Sequence, residues 1–250
     1  MRRPGCCKPK SSDVNKYFPL HINFFKDGVI KMQNYKYEFI EFLENAGVLK
    51  FGDFTAKSGR KIPYFINAGE IKTGDQIRKL GKYYAKAYFE KIGDKKTVLY
   101  GPAYKGIPIA VSVAVALSES GLDVPFFFNR KEEKEHGEGG IFIGYKPEYG
   151  EEVVIVEDVI TAGTAIRESM SVLSKLKGVK VSAAFVMVDR CEKGQSEKSA
   201  MAEVGEQFGF PVYSIVNVYD IIEYLEENEK NRENVERIKN YLKTNGAKEW

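Results

Sequence analysis

Residues 153–165 read VVIVEDVITAGTA, and the fold class hangs on them. Val153, Val154, Ile155 and Val156 are β-branched in succession, the composition of a strand buried on both faces. Glu157 and Asp158 follow at once, where such a strand meets water. Thr161, Ala162, Gly163, Thr164 and Ala165 then make a small-residue turn into a helical stretch, AIRESMSVLSKLKG, over 165–178.

Outward from there the same alternation recurs. Upstream, YEFIEFLENAG (37–47) has apolar residues at helical spacing and stops at Gly47, and Asp75 is expected to cap a helix ending at Gly93. The run TVLY (97–100) precedes IPIAVSVAVALSES (107–120), long enough for a buried helix. VPFFFNR (124–130) predicts a strand opening onto a glycine-rich polar loop over 129–144. Downstream, VSAAFVMVDR (181–190) and, after a charged loop, PVYSIVNV (211–218) predict strands, with DIIEYLEEN (220–228) and ENVERIKNYLK (233–243) as closing helices. Short apolar strands separated by amphipathic helices imply an α/β fold, a parallel sheet with helices on both faces. Such sheets bind ligands beyond the carboxyl ends of their strands, so the chemistry is expected in those loops.

Composition narrows the class. The chain has 250 residues, 43% of them hydrophobic, and Lys+Arg 38 against Asp+Glu 35 leaves a formal charge of +3. A chain of this size buries roughly 70–75% of its unfolded surface. Near-balanced charge argues against a disordered polyelectrolyte and against a nucleic-acid clamp. The longest apolar run, 108–117, is ten residues interrupted by Ser112. A bilayer span needs about 20, so no membrane role is expected. Cys6, Cys7 and Cys191 form no C-x-x-C pair, and His21 and His136 lie far apart. Neither a disulfide framework nor a structural zinc site is expected, and the cytoplasm is the expected location. Residues 1–31, basic and then aromatic without a period, read as a loose extension, leaving 32–250 as one domain.

The loops carry the functional signal. At 161–165, small residues let backbone N–H groups converge on an anion at a helix N-terminus worth about half a positive charge. The Thr161 and Thr164 hydroxyls are further donors. Glu157 and Asp158 would repel a phosphate, so they are expected to serve vicinal sugar hydroxyls or a cation such as Mg²⁺. A phosphorylated ribose meets both needs. GPAYKG (101–106) has the gap of a P-loop, but Ile107 and Pro108 stand where Lys and Ser or Thr belong, and no strand runs into G-x-G-x-x-G. Lys105 in that loop suits a diphosphate. Arg130, Lys131, Lys134 and His136, interleaved with Gly137, Gly139 and Gly140, suit a mobile lid over a charged leaving group. Lys57 beside a Ser-Gly turn, Phe65 in an apolar patch and Arg190 at a strand end suit a flat anionic heterocycle.

VVIVEDVITAGTA resembles the motif of the type I phosphoribosyltransferases that binds 5-phosphoribosyl 1-diphosphate (PRPP). LKFGDFTAKSGRKIPYFINAG (49–69), YGPAYKGIP (100–108), FNRKEEKEHGEGG (128–140) and DVITAGTAIRES (158–169) resemble the orotate phosphoribosyltransferase family in particular, in the same order, between about residues 32 and 224. That resemblance implies a type I phosphoribosyltransferase-like fold with a small hood formed by flanking segments. It implies transfer of the phosphoribosyl group from PRPP to orotate with Mg²⁺, giving orotidine 5′-monophosphate and diphosphate in pyrimidine synthesis. A homodimer sharing loop 129–140 across subunits is also implied.

The resemblance assigns roles as well. Glu157 and Asp158 would hold ribose hydroxyls, while Val159, Ile160, Thr161, Ala162, Gly163, Thr164 and Ala165 would wrap the 5′-phosphate. Tyr104 and Lys105 would meet the diphosphate, and Arg130, Lys131, Lys134 and His136 would form the mobile loop. Lys57, Phe65, Ile66, Thr161 and Arg190 would hold orotate or adjoining PRPP groups. Lys134, His136, Asp158, Lys105 and Arg130 form the expected catalytic set, with Mg²⁺ held mainly by PRPP. Two departures stand out: Glu157 occupies a position where Asp is frequent, and Ile66 one where a second aromatic is often found. The alternatives are a phosphoribosyltransferase for another base and a PRPP-binding regulator. Lys57 and Arg190 favour an anionic base, and the cationic lid favours an enzyme.

Overall fold

In a computed structural model, the described residues are 34–56, 59–134, 140–160, 162–227 and 231–248, so the expected extension over 1–31 lies outside them. The elements in chain order are α1 (Asn34–Asn45), β1 (Leu49–Thr55), β2 (Lys61–Ile66), α2 (Gly74–Lys91), β3 (Val98–Gly101), α3 (Gly106–Glu119), β4 (Phe126–Lys134), β5 (Gly140–Gly144), β6 (Glu152–Val156), β7 (Val159–Ile160), α4 (Thr164–Leu173), β8 (Lys180–Asp189), α5 (Ala200–Phe208), β9 (Val212–Asn217), α6 (Val218–Glu226) and α7 (Arg232–Asn245).

β6 is the middle of the main sheet, with β3 parallel on one side and β8 parallel on the other. The order is β5-β4-β3-β6-β8-β7, and β9 also pairs with β8. Side chains alternate between faces along each strand. Val154, Val156, Leu99, Phe185 and Met187 therefore enter one core layer, against Ile40 of α1, Leu80 of α2, Ile109 of α3 and Ile221 of α6. Val153, Ile155, Ala184 and Val186 enter the other, against Ile166 of α4 and Val204 of α5. Both faces are covered, which is why these strands read as unbroken apolar runs. β1 and β2 form a separate antiparallel pair, the small hood, with an irregularity between Phe51 and Phe54. β1 packs on α1 and β2 on α7.

Four sequence expectations change. The stretch 129–144 is not a loop throughout: β4 runs to Lys134 and β5 returns antiparallel from Gly140, so its polar side chains ride on a two-stranded arm. The cap of α2 is Thr73 rather than Asp75, its side chain accepting from Gln76 N at 3.2 Å while Gln76 Oε1 accepts from Thr73 N at 3.1 Å. The charged stretch before β9 contains α5, capped by Ser199. β6 stops at Val156, and the short strand β7 follows against β8. Among the described residues, no helix is long and apolar enough to cross a membrane.

Candidate active site

Because β3, β6 and β8 are parallel, their carboxyl ends share one edge of the sheet. Glu157 and Asp158, just past β6, are each 7% exposed. Backbone bonds tie them to β8: Glu157 N donates to Phe185 O at 2.9 Å, and Met187 N donates to Asp158 O at 2.8 Å. From α2, the Tyr84 hydroxyl donates to Glu157 O at 2.6 Å. Two bare carboxylates would repel a polyanion, and the surroundings quench both. Asp158 Oδ2 accepts from Lys105 Nζ at 2.9 Å, and its Oδ1 accepts from Val159 N at 2.8 Å. Burial, reinforced by the neighbouring Asp158 charge, pushes the Glu157 carboxyl up to about 8, although its Oε1 accepts from Asp158 N at 3.0 Å. Burial therefore favours the protonated form of Glu157.

Lys105 reaches Asp158 from a loop that closes on itself. A Cβ on Gly101 would lie 2.4 Å from Gly106 O, and one on Gly106 would lie 2.5 Å from Pro102 Cδ, so both positions require glycine. The closed loop leads straight into α3 and leaves Tyr104 66% exposed. From the arm, Lys131 sets its Nζ 4.9 Å from the centroid of the Tyr104 ring. The two segments expected to meet diphosphate are thus brought together. Arg130, beside Lys131 on β4, donates from Nη1 to Gly140 O at 3.1 Å.

The joint between loop and arm is Asn129. Its Oδ1 accepts from Tyr100 OH at 2.7 Å and from Ala103 N at 3.1 Å, while Nδ2 donates to Arg130 O at 3.1 Å. Its one mark in the sequence is an amide side chain inside a strand, where Asn is depleted. Lys134 ends β4, but its side chain, like His136, lies outside the described residues.

At the expected phosphate cradle, Val159 and Ile160 form β7, while Ala162, Thr164 and Ala165 are exposed. Gly163, with φ +73°, is the N-cap of α4, and no side-chain hydrogen bond caps this helix. The first amides of α4 therefore need a partner from outside the helix. Arg167 braces the turn, donating from Nη1 to Ala162 O and from Nε to Gln207 Oε1 at 2.8 Å. Thr161 and Lys57 lie outside the described residues.

On the hood, Phe65 is 39% exposed and stacks on Phe54 at 5.5 Å between centroids. Ile66, on the opposite face of β2, packs against the core instead, so the structure does not group it with Phe65. Arg190 is not a surface group: its side chain is 12% exposed, its Nη2 lies 2.6 Å from Glu192 Oε1, and its Cζ stands 5.1 Å from the Tyr64 ring centroid. It therefore sits against the hood strand that carries Phe65. Glu192 was not marked by sequence spacing, because its partner Arg60 is 132 positions away.

Among the described residues there is no group of three or more His, Cys, Asp or Glu side chains placed to hold a metal ion. Asp158 is the carboxylate at hand for a divalent cation, and it fits one that takes most of its ligands from substrate oxygens and water.

A family of phosphoribosyl transferase domains matches residues 67–213. An orotate phosphoribosyltransferase from Clostridium acetobutylicum is 51% identical over 188 residues, 75% of this chain and 84% of that protein. One from Vibrio parahaemolyticus is 52% identical over 190 residues, 76% of this chain and 87% of that protein. The crystal structure of orotate phosphoribosyltransferase from Francisella tularensis matches with a TM-score of 0.74 at 37% identity, covering 84% of this chain and 99% of that one. On this sequence and structural likeness, the chain belongs to the orotate phosphoribosyltransferase family.

Proposed function

We propose that this chain transfers the 5-phosphoribosyl group of PRPP to orotate, releasing diphosphate and forming orotidine 5′-monophosphate in pyrimidine synthesis. The observation that carries the reading is the Lys105–Asp158 pair at 2.9 Å, a cation for the leaving group beside a carboxylate for the sugar. In the reaction the bond from C1′ to the diphosphate oxygen breaks, positive charge grows on the ribose, and the base nitrogen closes on C1′. Lys105, Lys131 and Arg130 receive the negative charge of the departing diphosphate, with Lys134 and His136 completing the arm. One well-aimed donor of this kind is worth about 3–4 kcal/mol in the transition state. Asp158 and Glu157 hold the ribose hydroxyls, and residues 159–165 cup the 5′-phosphate. Phe65 stacks on the base, Arg190 pairs with its carboxylate, and Lys57 and Thr161 complete the pocket. Asp158, with the oxygens of PRPP, would hold Mg²⁺, which would supply charge neutralisation at the diphosphate.

The same reading takes residues 32–250 as one catalytic domain, operating in the cytoplasm as a homodimer in which loop 129–140 is shared across subunits: Lys131 stands by Tyr104 of its own chain, and the residues beyond it reach the neighbouring site. β4 runs on to Lys134 past Phe128, its last residue paired with β3, which supports that reach.

Absorbance-monitored loss of orotate, with PRPP and Mg²⁺ supplied, tests the reading. Turnover should need both substrates and should vanish when uracil or adenine replaces orotate. Equal diphosphate release with uracil would reassign the base. Calorimetric PRPP binding without turnover would make the chain a regulator.

A further inference from the structure

We propose that Glu192 is a positioning residue for recognition of the anionic base, locking Arg190 and the hood onto one buried carboxylate. The proposal rests on the reading above that Arg190 meets orotate. Glu192 follows Arg190 after a single intervening residue and is 5% exposed. Its Oε2 accepts from Arg60 Nη2 at 2.6 Å. Its Oε1 accepts from Tyr64 OH at 3.4 Å and lies 2.6 Å from Arg190 Nη2. Arg60 precedes β2 directly and Tyr64 lies within it, whereas Arg190 follows β8. One carboxylate therefore spans hood and sheet. α7 buttresses the same point: Asn245 Oδ1 accepts from Arg60 Nη1 at 3.5 Å, and the Tyr241 ring centroid lies 5.7 Å from Arg60 Cζ.

Two features separate this cluster from an ordinary structural ion pair. Two guanidiniums face one carboxylate, more cation than a simple ion pair uses. In addition, Arg190 Nε is buried without a hydrogen-bond partner, while Nη2 rests 2.6 Å from Glu192 Oε1. Buried donors call for an acceptor, and a carboxylate meets a guanidinium fork in two parallel bonds. A fork reads a carboxylate only when its plane is fixed. Tyr64 covers one face of it, and Asp189 Oδ1 accepts from Cys191 N at 2.8 Å, tightening the turn that presents Arg190. Glu192 supplies the remaining restraint. Tyr64 and Phe65 are consecutive on β2 and face opposite sides of it, so Glu192 and Arg190 fix the strand from the side opposite the stacking ring.

Steady-state kinetics of the full chain test this with Glu192→Gln, Glu192→Asp, Arg190→Leu and the Gln/Leu double variant. Glu192→Gln should raise the orotate KM about tenfold while the PRPP KM stays within about twofold, the signature of lost binding confined to one substrate. Glu192→Asp, which keeps the charge but shortens the reach, should raise it about threefold and serves if the Gln variant fails to fold, as loss of a buried charge can cause. Within the Arg190→Leu background, Glu192→Gln should add nothing further, because it acts through Arg190. An orotate KM unmoved by either Glu192 variant while Arg190→Leu raises it would overturn the proposal. So would equal rises for both substrates. An orotate KM unmoved by Arg190→Leu would instead overturn the underlying contact, a separate outcome.

Discussion

Adding a methyl group at Gly101 tests whether the 101–106 loop carries the diphosphate. The new Cβ would lie 2.4 Å from Gly106 O, 2.7 Å from Gly106 C and 2.8 Å from Ala110 Cβ. Carbon contacts relax only at about 3.5–4.0 Å, so the start of α3 must retreat by about 1 Å. The obstacle is backbone, which cannot rotate aside, and overpacking of this kind costs about 1–3 kcal/mol. At this chain length that corresponds to a Tm lower by about 2–12 °C. Lys105 is joined directly to Gly106 and moves with it. A displacement of about 1 Å in a positioned catalytic group costs about a hundredfold in rate.

Orotate consumption at varied PRPP, with thermal melting alongside, reads both effects. Gly101→Ala should lose about a hundredfold in kcat/KM for PRPP. Gly74→Ala is the control: a Cβ there, in the first turn of α2, meets nothing within 4 Å. A Gly101→Ala protein with its Tm lowered as expected but wild-type kinetics would refute the reasoning, since the loop would have shifted without consequence. Should that variant not fold, Lys105→Ala, altering a half-exposed side chain, carries the same kinetic expectation.

Asn129→Leu strips the acceptor from Tyr100 OH and Ala103 N; it should raise the PRPP KM about tenfold at unchanged orotate KM and lower stability by about 1–3 kcal/mol. Steady-state kinetics with each substrate varied would expose a parallel rise in both, which would remove Asn129 from the loop's support. Glu157 keeps its proton in the folded chain from the usual carboxylate range up to about 8, while the unfolded chain releases it, so its contribution to stability is lost as pH rises through that window. Glu157→Gln should flatten this fall, which is at most about 1.4 kcal/mol per pH unit, and parallel melting curves for the two proteins would contradict it. Lys134→Ala should lower kcat about a hundredfold with PRPP binding retained. Mixing it with Asp158→Asn under subunit exchange should restore activity if arms are shared, and no recovery argues against sharing.

Legibility followed the origin of each element's order. Val153 to Val156 declare a strand because burial on both faces leaves no polar position, and the acids after them mark where the strand emerges. The arm hid because its ladder is built from backbone groups, which bond whatever side chains they carry; charges and glycines over 129–144 therefore imitated a loop. α5 hid for a related reason, its short apolar face of Ala200 and Val204 lying among charged neighbours. Asn129 and Glu192 needed the folded chain altogether. Their value lies in partners far away in sequence, and neither residue type announces such a partner.

An acidic strand end beside a polyanion site looks self-defeating, yet the two carboxylates are handled at different depths. Glu157 is silenced by burial, a fixed property of the fold that no ligand need supply. Asp158 is screened by Lys105, whose side chain is 55% exposed while that of Asp158 is 10% exposed. In the proposed reaction a diphosphate with several negative charges would compete for Lys105 from the solvent side. The Asp158 carboxylate would then be left to accept from sugar hydroxyls as positive charge grows on the ribose. Lys131, parked on the exposed Tyr104 ring, stands ready beside the same loop. On the proposed reading the resting ion pair is a store of one cation and one anion, which the substrate would separate because it needs each at opposite ends of its breaking bond.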